Sequence, residues 1–173
     1  MNAGQSFRNP AIVDLFTVLA RWLLGAAFLY LGLNKALHPV EFLKLTRQYD
    51  IAQDALLLNL IAATLPWFEA FCGLLLLAGV AVRGTALTLA TILVPFTFLV
   101  LHRALLLHAA QHIPFCAVSF DCGCGAGEEF ICRKLMENFV LFALSVWLLA
   151  GRGHQCSLRY HLIPPPPPQA LSR

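Results

Sequence analysis

At 173 residues the chain has the length of one domain, yet 59% of it is hydrophobic and only 12% charged, about half the charged share of globular proteins. That composition excludes an ordinary soluble domain. A net charge of +3, scattered along the sequence, is no footprint for nucleic acid, and a chain embedded in a lipid bilayer is the class that fits.

Four apolar stretches, residues 11–33, 56–80, 84–107 and 135–151, reach or approach the length that crosses about 30 Å of hydrocarbon as a helix. Irregular backbone is not tolerated against lipid. The sequence therefore predicts an all-α, membrane-embedded four-helix bundle over residues 1–151. It carries a cysteine-rich loop between helices 3 and 4 and a Pro-rich, disordered tail over 152–173. The first stretch is interrupted by Asp14 and Arg21 and lacks a convincing cleavage site, so it counts as a span rather than a signal peptide.

In the first span Arg21, Gly25, Phe28, Gly32 and Lys35 recur at spacings of four and three, which places them on one helical face. The two glycines would let a neighbouring helix approach closely. Arg21 lies ten residues beyond Ala11 and Glu69 eleven residues before Val80. These offsets correspond to about 15 and 16–17 Å along their helices. In adjacent antiparallel spans the two would match in depth, so Arg21 and Glu69 are expected to face inward and pair, either structurally or as a functional intramembrane pair. Residues 34–54 read as a short amphipathic interfacial helix that starts at Pro39.

A tight turn is expected around Arg83 and Gly84. Thr85, Thr88 and Thr91 follow along one side of span three and are expected to bond their own helix or a neighbour, and Pro95 is a candidate kink. His108, His112 and Cys116 are spaced by four residues, which would align metal ligands only on a continuous helix, and Pro114 argues against one. Metal binding by these three is a lesser alternative.

Four of the six cysteines lie within residues 116–132, including Asp121-Cys122-Gly123-Cys124-Gly125. A disulfide across one intervening residue is strained, which suits exchange better than a permanent staple, and the glycines leave the sulfurs approachable. Asp121, Glu128 and Glu129 would raise a thiol pKa, so activation would fall to Arg133, Lys134 or a helix N-terminus. Cys122 and Cys124 are the candidate catalytic pair, with Cys116 and Cys132 as a second or resolving pair. Two static bridges and a Cys₄ zinc site remain open, although the one-residue gap departs from the usual ligand spacing. Cys72 reads as a buried inert thiol and Cys156 as free. The basic residues divide five to six between the two faces and do not orient the chain. Placing the cysteine loop on the oxidising side, where disulfides persist, puts both termini in the cytoplasm.

Taken together, the run Arg21-Trp-Leu-Leu-Gly25 through Gly32-Leu-Asn-Lys35 with His38-Pro39, and the run Leu65-Pro66-Trp67-Phe68-Glu69 through Gly73, resemble the first two spans of DoxX-like membrane proteins. Cys122-Gly123-Cys124 resembles the signature of the MauE, or methylamine-utilisation, branch. Where that branch commonly has Phe, Gly125-Ala126-Gly127 follows here. The resemblance spans residues 11–151. It implies a four-helix protein of the bacterial inner membrane, associated with maturation of disulfide-rich methylamine dehydrogenase and acting beside a periplasmic thioredoxin-like partner. It marks Arg21, Lys35, Glu69, Cys122 and Cys124 as candidate functional residues. The leading expectation is a membrane thiol–disulfide oxidoreductase that acts on a disulfide-containing client. Electrons would pass between the thioredoxin-like partner and a membrane acceptor or donor, for which a quinone near Arg21 and Glu69 is one candidate, although no residue identifies one. Against it stand a non-enzymatic assembly scaffold and a metal-binding or transporting bundle.

Overall fold

The computed structural model describes residues 10–48, 55–121 and 128–151. Five helices account for most of them: α1 (Pro10–Leu37), α2 (Pro39–Gln48), α3 (Ala55–Ala78), α4 (Val82–Gln111) and α5 (Ile131–Ala150). Between α4 and α5 lie a 3-10 turn at Phe115–Ala117 and two short strands, β1 (Ser119–Asp121) and β2 (Glu128–Phe130).

Three stretches, Ile12–Leu37, Leu56–Ala78 and Val82–Gln111, are long and apolar enough to cross a membrane. Large apolar side chains such as Leu15, Trp22, Leu60, Phe71, Leu87 and Phe98 are exposed on their outward faces. A helix that is apolar all round needs lipid or protein on every side, and the protein supplies only one. The fourth predicted span is also helical, but α5 begins with Arg133, Lys134 and Glu137 in its first two turns, so its opening is polar.

The helix α1 packs antiparallel on α3 along the predicted glycine face. A Cβ added to Gly25 would stand 2.9 Å from Gly73 O, one on Gly32 2.6 Å from Ala70 N, and one on Gly73 2.5 Å from Leu29 N. These are backbone-to-backbone contacts that only glycine permits, the geometry of small-residue membrane seams. The turn into α4 falls earlier than predicted. Gly79, at φ 74°, ends α3 with Gly79 N–H donating to Leu76 O at 3.1 Å and Val80 N–H to Leu75 O at 2.9 Å. This glycine-terminated cap leaves Arg83 and Gly84 in the first turn of α4.

The expected self-bonding of Thr88 and Thr91 holds: their hydroxyls donate to Gly84 O and Leu87 O, each at 2.9 Å. In α2 the helix starts at Pro39 as predicted, with Phe42 turned inward and Lys44 and Arg47 outward. The helix α5 packs on α4 and α1. Its far end is held where Trp147 Nε1 donates to Thr17 Oγ1 at 3.3 Å and the Arg83 guanidinium to Gly151 O at 2.9 Å. One apolar cluster, around Leu24, Leu76, Leu89 and Leu148, fills that end. A second, around Val100, Ala104, Val118 and Ile131, seats the strands on α4 and α5.

Candidate functional site

Between the two apolar clusters lies a buried polar network. Lys35 is 6% exposed and Glu69 5%, and Lys35 Nζ donates to Glu69 Oε2 at 2.7 Å. The ammonium also lies 5.6 Å from the ring centre of Phe42 on α2 and 5.5 Å from that of Phe96 on α4, so four helices converge on it. Desolvating two charges is expensive unless they are paired. The carboxylate satisfies the ammonium directly, and the aromatic faces add cation–π attraction.

This pairing corrects the expectation that Arg21 meets Glu69. Arg21 is buried in the same face but lies fourteen residues before Lys35, about 21 Å along the helix. The glycine contacts, Gly25 against Gly73 and Gly32 against Ala70, fix a register that sets Lys35, not Arg21, opposite Glu69.

The other half of the network comes from α5. Lys134, 4% exposed, pairs with Glu129 of β2 at 3.4 Å and with Glu137 at 3.5 Å. Arg133, on the outside, pairs with Glu137 at 3.0 Å. Both cations expected to activate the thiols are therefore already engaged by carboxylates. Asn138, 3% exposed, donates from Nδ2 to Thr97 Oγ1 on α4 at 3.0 Å. Thr97 in turn donates to Leu93 O at 2.8 Å. A cavity of about 20 Å³ is lined by Lys35, Glu69, Lys134 and Asn138 together with apolar side chains, enough for a single water with several polar partners. It connects the intramembrane ion pair to the lysine that holds the strands.

The strands pair antiparallel, Ser119 with Phe130, Phe120 with Glu129 and Asp121 with Glu128. Ile131 N–H extends the pairing to Val118 O at 3.0 Å. Cys116 and Cys132 close the base of this hairpin as a disulfide with Cα atoms 5.1 Å apart, an ordinary spacing for such a bridge. The second pair of the sequence reading is thus brought together. Cys122 and Cys124 fall in the segment joining β1 to β2, which lies outside the described residues, as do Cys156 and the Pro-rich tail. Cys72 is a buried free thiol within α3.

The row His108, His112 and Cys116 does not form. Helix α4 ends at Gln111, and His112 takes a left-handed conformation as its cap. The His108 Nδ1 donates to Ile113 O at 2.6 Å, and Cys116 is spent in the disulfide. Among the described residues no group of three or more His, Cys, Asp or Glu side chains is placed to hold a metal ion.

Residues 13–151 match the family described as methylamine utilisation protein MauE. The chain belongs to the MauE family. No curated protein and no solved structure matches it. Membership together with three apolar helices makes this a multi-pass membrane protein of a methylamine-utilisation-associated family.

In this MauE protein the residues that sequence reasoning missed are Asn138 and Thr97, with Lys134 and Glu129 missed in their structural role. A signal was present. Ile131, Lys134, Asn138, Ser145 and Leu148 follow helical spacing, and all five are buried. Starting the fourth span at Leu135 left Lys134 outside the helix and hid the stripe.

Proposed function

We propose that this MauE protein is a DoxX-like four-helix protein of the bacterial inner membrane that exchanges thiols and disulfides, with Cys122 and Cys124 as the working pair. Helix α5 is the fourth span, both termini are cytoplasmic, and the cysteine hairpin faces the periplasm. Cys116 and Cys132 act as the resolving pair. A thiolate of the working pair attacks one sulfur of the Cys116–Cys132 bridge, the other sulfur leaves as thiolate, and the second working thiol then closes the new bond. The net result exchanges one dithiol for another. The client is a disulfide-containing periplasmic protein, of the methylamine dehydrogenase maturation type, reached directly or through a thioredoxin-like partner.

The observation that carries this reading is the Cys116–Cys132 bridge closing the base of the hairpin. Asp121 and Glu128 are cross-strand partners, so the segment that holds Cys122 and Cys124 belongs to the same hairpin as the bridge. Cys116 itself is exposed, which leaves the bridge open to attack. The buried Lys134–Glu129 pair holds β2 to α5 and fixes the hairpin against the membrane helices.

Single substitutions Cys122→Ser and Cys124→Ser test this in cells. Each should abolish client oxidation, and one of the two should accumulate a mixed disulfide with a partner, visible as a reductant-sensitive gel shift. Client oxidation unchanged in both variants would leave a static assembly scaffold instead.

A further inference from the structure

A second cavity opens between α4 and α5, away from the ion pair. Its volume is about 320 Å³, within the range of small-molecule sites. Phe98, Leu101, Phe139 and Phe142 line its walls, with Thr97 and Asn138 at its inner end. Phe98, Phe139 and Phe142 are exposed, so the groove opens on the outer face of a membrane helix pair, where a ligand arrives through lipid.

Two features distinguish it from a crevice for an acyl chain. The first is Asn138. Its side-chain amide is nearly fully buried and uses one N–H on Thr97. No other hydrogen bond of this amide is made among the described residues, which leaves a second N–H and the carbonyl oxygen. An amide that lines the groove with hydrogen-bonding capacity to spare favours a ligand with polar groups, and an acyl chain offers none. An amide can donate to a carbonyl and accept from a hydroxyl, so it serves both forms of a ligand that alternates between the two. The second feature is the wall formed by α5. Leu135, Phe139 and Phe142 continue a stripe that begins at Cys132, at spacings of three, four and three. Cys132 and Leu135 pack against the same cluster, so the bridge lies about one helical turn beyond the Leu135 end of the groove.

We propose that this groove binds a quinone, with its ring among the phenylalanines and a carbonyl on Asn138, and that the bound quinone reoxidises the Cys116/Cys132 dithiol. The inference rests on the exchange reading above. Two S–H bonds break and one S–S bond forms. The two electrons and two protons pass to the quinone, whose two carbonyl oxygens become the hydroxyls of a quinol. Asn138 also lines the water-sized cavity shared with Lys134 and the Lys35–Glu69 pair, which places proton-carrying groups behind the ring.

The test is binding of a short-tailed ubiquinone analogue to the purified full-length protein in nanodiscs, read by quenching of tryptophan fluorescence. It is repeated on Asn138→Leu, which removes the amide, and on Leu101→Trp, which fills the groove. Wild type should saturate with the analogue and both variants should bind at least tenfold more weakly. The Cys122→Ser/Cys124→Ser double variant should bind as wild type does. No saturable binding to wild type, or equal affinity in both groove variants, overturns the proposal and leaves the groove to a phospholipid chain. Because the readout is binding, a quinone that binds while thiol exchange fails contradicts the exchange reading and leaves the binding site standing.

Discussion

The two helix pairs of this protein are built on opposite principles. Between α1 and α3 the backbones touch: Gly25, Gly32 and Gly73 leave no room for a Cβ, and at Glu69 the seam carries a closed 2.7 Å ion pair. Between α4 and α5 the contact runs through side chains, with a groove on one side, a water-sized cavity on the other and Asn138 lining both. The first pair is a frame without play. The second carries space, polar groups and, at its end, the disulfide hairpin. In a bilayer, where apolar contact between helices competes with equally apolar lipid, close packing supplies the rigidity and departures from it mark where a ligand fits.

The sharpest way to break the frame is Gly73→Leu. Its Cβ would meet Leu29 N at 2.5 Å, and since neither atom belongs to a flexible side chain the helices must part. The loss should reach or exceed about 3 kcal/mol, the upper end for overpacked cores, seen as a missing cooperative transition in thermal unfolding followed by tryptophan fluorescence. Gly84→Ala is its control: nothing lies within 4 Å of the added carbon, and stability should rise by no more than about 1 kcal/mol.

Next comes the ion pair. Lys35→Met leaves Glu69 charged and buried, and should cost about 3–5 kcal/mol. The double variant Lys35→Met/Glu69→Leu should recover much of this in the same assay. If instead the double variant is as unstable as the single one, the network does more than neutralise two charges.

The frame was legible in the sequence to the degree that it depends on periodicity. The helices and the glycine face follow from apolar runs and from spacings of three and four. Register was not legible: depth counted from helix ends put Arg21 opposite Glu69, whereas the glycine contacts slide the helices until Lys35 faces it. The site half was harder to read. Strands of three residues, Ser119–Asp121 and Glu128–Phe130, are too short to show alternation, and the hairpin is held by the bridge and by Lys134 rather than by strand propensity. The position of the bridge could be anticipated as a pair of thiols, but not its place at the hairpin's base.

On the site side the effects should be smaller. Cys116→Ser removes a bridge between residues 16 apart in sequence and should cost about 3 kcal/mol, with loss of the single folded state of the hairpin in hydrogen exchange while α1 and α3 stay protected. Smallest is Thr97→Val, which takes one hydrogen-bond partner from Asn138 and should cost about 1 kcal/mol without altering the thermal cooperativity of the frame.

The most direct test of the central claim is the midpoint potential of the Cys122–Cys124 pair in the purified protein, measured by thiol trapping across glutathione buffers with mass spectrometry. Reversible exchange at a potential more oxidising than about −300 mV is the expected result for a working pair. A pair that stays oxidised throughout those buffers would contradict the account and make this MauE protein a stapled membrane scaffold.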